Sequence, residues 1–322
     1  MNEDQMMKAA YFTHTGDINQ IQVGQLPVPA IGPTDVLVKI QEAAVDRVDA
    51  YVRSGAFQTP SNSQQIIGRD AWGTVVKTGT QVHAFHVGDR VWTNSMGYGG
   101  RQGITGQFAA IPETRLFPMP ISDPSGWLAL VHPGATAAII VTQLLKLKPE
   151  QTLLIEGGAG HVGRLLIQCA KIAGLRVMAT ANPRDFSALT ALGAEVIDYA
   201  EGWEQQLSQP VDAIVDTSGQ VPLQLNLDQL AVGGQIILIA ASPKPAATFN
   251  LPQFYMAEQR LRGFVISHAS LESLTQADEW LLAHADVLQA PAFKRLSLSE
   301  AASAHQMVMD PQVKTRLLIS LP

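Results

Sequence analysis

The most regular alternation of apolar and polar positions runs from Thr152 to Thr180. An apolar run, Thr152 to Ile155, stops at Gly157 and Gly158, which is how a short buried strand reads. Val162, Leu165, Leu166, Cys169 and Ala173 then recur at helical spacing, with Arg164, Gln168 and Lys171 on the other face. That pattern predicts an amphipathic helix packed on a sheet. Leu175 to Thr180 predicts the next strand, and "EVIDY" from Glu195, "VDAIVD" from Val211, "GQIILIA" from Gly234 and "GFVIS" from Gly263 continue the series. These runs are rich in β-branched residues and are mostly separated by helix-compatible stretches such as Phe186 to Leu192. Six strands in alternation with helices predict an α/β domain with a doubly wound parallel sheet, spanning about 125–267.

The pattern before residue 125 has another texture. "KAAYFTH", "DVLVKIQEAAV", "GTVVKTG" and "DRVWT" are strand-like runs broken by Pro and Gly turns. Near the end, Ala301, Ala304, His305 and Val308 line up on one helix face, and Arg316 to Leu321 reads as a strand. We therefore expect a β-rich domain made of 1–124 and 268–322. The glycine-dense stretch Asn94 to Gln107 is long for a connection, and is either a mobile cover over a site or a plain surface excursion.

Composition supports two domains: 322 residues, 46% hydrophobic and 16% charged, hold enough apolar material for two cores. A formal net charge of −6, with no run of Lys and Arg, argues against nucleic acid as a partner. The start "MNEDQMMKAA" carries acids, so no signal peptide is expected. No stretch is expected to reach the length of a membrane span, and the expected location is the cytoplasm. One cysteine, Cys169, allows no intramolecular disulfide and no thiolate metal cluster, and its place on the inner helix face makes it a small buried apolar residue.

Chemistry enters at the turn. Gly158, Gly160 and Gly163 have the G-x-G-x-x-G spacing between a strand and a helix, so the backbone of Gly158, Ala159, Gly160, His161, Val162 and Gly163 is expected to face a dinucleotide pyrophosphate. The first glycine permits the tight turn, the second admits the phosphate, and the third lets helix and strand approach. The second strand runs into Ala181, Asn182, Pro183 and Arg184 with no carboxylate at its tip. An arginine there favours a 2′-phosphate, hence NADP(H), while Asp185 keeps NAD(H) open as the lesser alternative.

The order of "GRDAWGTVVKTGTQVHAFHVGDRVW", "GQFAAIPETRLFPMP", "GATAAIIVTQLLKLKPEQTLLIEGGAGHVG" and "EAASAHQMVMDPQVKTRLLI" resembles the medium-chain dehydrogenase/reductase superfamily over nearly the whole chain. "AAVDRVDAYVRSGAF" and a zinc-free character resemble its quinone oxidoreductase branch, similar to zeta-crystallin. The resemblance implies a GroES-like catalytic domain, a Rossmann domain, a cleft between them, and homodimers joined through the last Rossmann strand, here Gly263 to Ser267. In the alcohol dehydrogenase branch a catalytic zinc is held at positions that match Asp46, Arg69 beside Asp70, and His132. A guanidinium cannot ligate a cation, so no metal is expected.

Without a Lewis acid, the resemblance implies an acceptor that spreads charge itself: a quinone, reduced by NADPH. The alternative is an enone, alkenal or enoyl-thioester double-bond reductase, and a further one from another class is a non-catalytic nucleotide- or RNA-binding relative, which the acidic balance disfavours. Tyr51 resembles the family tyrosine lining the nicotinamide and substrate cleft. Asp46 stands where the branch carries asparagine, and is expected either to act as a carboxyl near the nicotinamide or to pair with Arg47 or Arg69. Thr136 at the nicotinamide, Tyr199 on the adenosine side, Ser218, Ala240, Ala241, Phe264 and Val265 are further cofactor contacts that the resemblance implies. Acceptor choice is expected to depend on Tyr51, Tyr98 and Arg101, with Arg101 the residue to watch for a phosphorylated or acyl-CoA substrate.

Overall fold

The computed structural model describes residues 5–119, 122–200, 202–241 and 246–322. The chain divides into two units, Met1–His132 with Gln289–Pro322, and Pro133–Leu288.

The second unit is built on a six-stranded sheet whose order is Glu195–Asp198, Arg176–Ala181, Thr152–Glu156, Val211–Asp216, Leu230–Leu238, Arg260–Gly263. Every neighbouring pair is parallel. Numbered along the chain this is 3-2-1-4-5-6, the dinucleotide-binding arrangement, so the expected fold class holds. The central strand Thr152–Glu156 is buried at every residue, as a parallel strand covered on both faces must be. The helix His161–Ile172 buries Leu165, Leu166, Ile167, Cys169 and Ala170. Burial pushes the Cys169 thiol up to about 12, so it is an inert packing group.

Three expectations need correction here. The last strand is Arg260–Gly263, not Gly263 to Ser267, and Ile266–His268 is a short 3-10 turn. Pairing with Gln235 to Leu238 sets its register, and the charged Arg260 and Arg262 are tolerated because the strand lies at the sheet edge with all four residues exposed. The second unit also runs past 267 to include the helix Leu271–Ala283, which buries Leu274, Ala277 and Leu281. Gln143 Nε2 donates to the Ser273 carbonyl at 3.0 Å and ties that helix to the π-helix Ile139–Leu145. Finally, the stretch Pro124–Leu145 is by length and composition able to cross a membrane, yet 83% of its most apolar 18-residue window is buried.

The first unit carries a seven-stranded sheet with the long strand Asp35–Val45 at its centre, and a three-stranded sheet of Gln22–Pro27, Met6–Phe12 and Gln65–Ile66. Val36, Val38, Ile40, Val75, Val91 and Ile111 fill one core cluster. The chain returns through Arg316–Ser320, antiparallel to Asp35–Val45, with Leu317 opposite Val45. Leu128 packs with Ala44 and Leu318, which is why this unit extends to His132 rather than stopping at 124. The stretch Asn94 to Gln107 is not a loose cover. Gly103 N–H donates to the Ile66 carbonyl at 3.1 Å, Ile104 and Thr105 donate to Ile67, and Met96 and Ile104 are core residues.

Candidate active site

The turn after Thr152–Glu156 is shaped so that side chains do not fit. Gly157 has φ +77° and a Cβ there would lie 2.6 Å from Thr217 Oγ1. A Cβ on Gly163 would lie 2.5 Å from the Gly157 carbonyl oxygen, so the helix passes as close to the turn as the spacing predicted. Gly158 N–H donates to the Thr180 carbonyl at 3.0 Å and fixes the turn to the adjacent strand. Gly160 is the helix N-cap and supplies no capping side chain. The positive end of the helix dipole is thus left to an external anion, and this cradle fits a dinucleotide pyrophosphate.

The other cofactor candidates fall around the same edge of the sheet. Asn182 Nδ2 donates to the Tyr199 hydroxyl at 3.2 Å, and Asn182 Oδ1 accepts the Arg184 N–H at 3.1 Å, so three candidates from the tips of Arg176–Ala181 and Glu195–Asp198 come together. The Arg184 side chain is 64% exposed and only 3.8 Å from Asp185 Oδ2, an ion pair of little worth in water. Ser218 Oγ donates to Asp216 Oδ1 at 2.8 Å, just past Val211–Asp216. Ala240 and Ala241 follow Leu230–Leu238, and Phe264 and Val265 follow Arg260–Gly263. These residues share the carboxyl edge, where ligands bind in such sheets. Thr136 comes instead from the helix Pro124–Ala138 and is buried.

Sequence reading missed Glu156 at this edge, although "LLIEGG" put an acid directly between an apolar run and the glycines. The carboxyl is fully buried, and Asn226 Nδ2 donates to its Oε2 at 2.8 Å. Burial, and then the neighbouring Asp216 charge, push it up to about 8, so it is neutral at physiological pH beneath the turn.

In the first unit, the strand Asp35–Val45 leads into the helix Arg47–Ser54 with Asp46 as N-cap. Asp49 Oδ2 accepts the Asp46 N–H at 2.8 Å, and Gly55 ends the helix at φ +81°. The Asp46 carboxylate is turned elsewhere. Arg316 Nη1 donates to its Oδ1 at 2.7 Å, while Arg316 Nε donates to the Ala129 carbonyl at 3.1 Å. His132 Nδ1 lies 3.1 Å from Asp70 Oδ1 and 4.0 Å from Asp46 Oδ2. Asp46, Asp70 and His132 are all buried, with ligand-type atoms within 4.8 Å of one another.

The charges in this cluster separate clearly. Burial pushes Asp46 up, but the Arg316 guanidinium outweighs it and holds the carboxyl well below its usual range. Burial and the Asp46 charge drive Asp70 the other way, so Asp70 keeps its proton beside ionised Asp46. Burial and Asp46 likewise raise Asp49 to about 8. Burial pushes His132 down, leaving a neutral imidazole whose contact with Asp70 is a hydrogen bond, not an ion pair. One carboxylate therefore faces the guanidinium of Arg316, with the Arg69 charge close enough to act on Asp70.

Asp46 pairs with Arg316 rather than with Arg47, whose Nε reaches the Val308 carbonyl at 3.3 Å. The return of the last strand beside Asp35–Val45 brings Arg316 there instead. The signal available in sequence was a lone charge opening the apolar run "RLLIS". Nor are the two catalytic candidates brought together: Asp46 is 4% exposed, while Tyr51, on the same helix, is 40% exposed and its hydroxyl makes no hydrogen bond among the described residues.

A parallel sheet in this order with a phosphate-shaped turn at its first crossover, joined to a mostly antiparallel β-rich unit, defines a nucleotide-dependent oxidoreductase of the dehydrogenase type. The alcohol dehydrogenase GroES-like domain family matches residues 32–121, and the zinc-binding dehydrogenase family matches residues 162–283. The chain belongs to the medium-chain dehydrogenase/reductase superfamily, on its quinone oxidoreductase branch. It is 25% identical to a quinone oxidoreductase of Mus musculus over 91% of both chains. It is 29% identical to a chloroplastic NADPH-dependent alkenal/one oxidoreductase of Arabidopsis thaliana, over 74% of this chain and 64% of that protein. A mycobacterial structure complexed with NADPH superimposes with TM-score 0.84 at 26% identity, covering 98% of this chain and 100% of that one. A cobalt- and zinc-bound alcohol dehydrogenase of Pyrobaculum aerophilum shares the fold at TM-score 0.84 and 20% identity, with the same coverage.

Proposed function

We propose that this oxidoreductase is a zinc-independent reductase that uses NADPH to reduce quinones. The observation that carries the reading is the Arg316–Asp46 pair inside the Asp46, Asp70, His132 cluster. The donors there amount to one carboxylate already neutralised by a guanidinium, one protonated carboxyl and one imidazole, with a second guanidinium acting on them. That set does not fit zinc, which takes deprotonated ligands and is repelled by fixed cations. Acceptors that delocalise the charge they receive are the ones such a protein can reduce, and quinones do so best.

NADPH, when bound, supplies the hydride. The backbone from Gly158 to Gly163 would hold its pyrophosphate, and Asn182, Arg184 and Tyr199 its adenosine end, where the exposed guanidinium of Arg184 suits a 2′-phosphate. Ser218, Ala240, Ala241, Phe264 and Val265 would line the dinucleotide along the sheet edge, with Thr136 against the nicotinamide. Tyr51, with its hydroxyl uncommitted, would orient the acceptor, and Asp46 would hold the buried charge balance rather than act on substrate. The Arabidopsis relative, which acts on alkenals or alkenones by its name, favours double-bond reduction as the second reading. The homodimer expected from the family finds support in Arg260–Gly263, exposed on every residue, and in Tyr255 and Met256 beside it, 78% and 71% exposed.

The test is oxidation of NADPH and of NADH against an ortho-quinone, a para-quinone, an alkenal and an enoyl thioester. Turnover of the quinones with NADPH preferred is the expected result. Turnover confined to the alkenal or thioester would move the assignment to double-bond reduction. Arg184→Ala should raise KM for NADPH about tenfold, the value of one charge-assisted hydrogen bond, and leave KM for NADH within about twofold.

A further inference from the structure

Two guanidiniums, those of Arg101 and Arg115, meet in the first unit close enough to Arg69 to feel its charge. Arg101 Nε donates to the Ser95 carbonyl at 3.2 Å, and Arg115 Nη1 donates to the Ser95 hydroxyl at 3.0 Å, so two arginines meet on one buried residue. The Arg69 guanidinium carbon stands 5.6 Å from the centre of the Tyr98 ring, and the Met96 N–H donates to the Arg69 carbonyl at 3.2 Å. Among the described residues no carboxylate lies within 4.0 Å of a nitrogen of Arg101 or Arg115. Burial, then the charges of Arg115 and Arg69, push Arg101 down to about 10, and burial with Arg69 lowers Arg115 as well. Like charges packed together in half-buried positions cost stability, and among the described residues no ion pair offsets those of Arg101 and Arg115.

The donors left over fix the chemistry of what would offset them. A guanidinium has five N–H groups, and Arg101 and Arg115 each give one to Ser95. The remainder form planar forks that match the paired oxygens of a carboxylate or phosphate. Beside them Tyr98 stacks on Phe57 with centroids 5.3 Å apart and planes 6° from parallel, an aromatic surface suited to a flat conjugated body.

We propose that Arg101 and Arg115 bind an anionic group, a carboxylate or phosphate, carried by the acceptor, whose conjugated body lies against Phe57 and Tyr98. This rests on the reading of the protein as a reductase of conjugated carbonyl compounds and narrows it to acceptors bearing a negative charge away from the reducible carbon.

The test compares menadione with a menadione bearing a propionate chain. Calorimetric affinity is measured first and steady-state reduction second, on the full-length protein and on the R101Q/R115Q variant, with NADPH affinity and thermal stability as controls. The propionate compound should bind the unmodified protein at least about tenfold more tightly than menadione, and inorganic phosphate should compete with it. In the double variant that preference should fall to about twofold or less, while Arg101→Lys with Arg115→Lys should recover part of it, since charge returns without the fork. Equal affinity for the two compounds in the unmodified protein, or an equal loss for both in the variant, would overturn the proposal. So would a loss confined to NADPH, which would assign the cluster to the cofactor. Preferential binding of the propionate compound with no reduction of either would keep the anion site and defeat the quinone reductase reading instead.

Discussion

Asp46 and Arg316 stand 270 positions apart in sequence, and their pairing decides what the buried cluster can do. The resemblance to the alcohol dehydrogenase branch pointed to Asp46, Asp70 and His132, but not to the partner, because side-chain pairing across strands depends on which strand returns where. Arg316→Leu should cost about 3–5 kcal/mol in urea unfolding, since Asp46 would be left buried and unpaired. Adding Asp46→Asn should recover much of that loss, and failure to recover would mean that Arg316 matters through Ala129 and packing alone. Glu156 permits a second prediction. Its proton is held by the folded chain up to about 8 but by the unfolded chain only up to about the ordinary 4.5. The folded state thus binds the extra proton between those values, and stability should fall as pH rises through the window, by at most about 1.4 kcal/mol per unit. Glu156→Gln should flatten the decline between about pH 5 and about pH 8, with a residue left by Asp49 and Asp70, which are raised in the same sense. An unchanged slope in the variant would show that Glu156 does not carry it.

At the scale of elements, the strands of the second unit were legible because each is a short β-branched run closed by glycine or a polar turn. The glycine turn was legible for the same physical reason that it works: Gly163 is where helix and strand come too close for a Cβ. Gly163→Val should weaken NADPH binding at least about tenfold and destabilise the unit by about 1–3 kcal/mol, measured by cofactor titration and thermal unfolding. Normal NADPH affinity in that variant would remove the turn from the cofactor site. The edge strand was misplaced by propensity, since "FVIS" looks more strand-like than "RLRG", and only the register with Leu230–Leu238 selects Arg260–Gly263. If that edge pairs with a second copy, Leu261→Asp should shift the protein toward monomer in light scattering. A variant with the same mass distribution as the unmodified chain would exclude the edge as the interface.

At the scale of the molecule, the two textures along the chain gave the two units, while their borders moved because Leu128 packs with Ala44 and the helix Leu271–Ala283 packs with the π-helix. The candidate site was half legible: the carboxyl-edge residues came from the family resemblance and agree with the topology, whereas the charges that decide metal and acceptor preference depend on burial, which no periodicity reports. A guanidinium, not a metal, balances the buried carboxylate, and the proposed quinone reduction rests on that balance. The most direct measurement is NADPH-linked reduction of a quinone by protein treated exhaustively with chelator, with zinc content determined on the same sample. Full activity with zinc well below one atom per chain is the expected result. Activity lost on chelation and restored by zinc would contradict it.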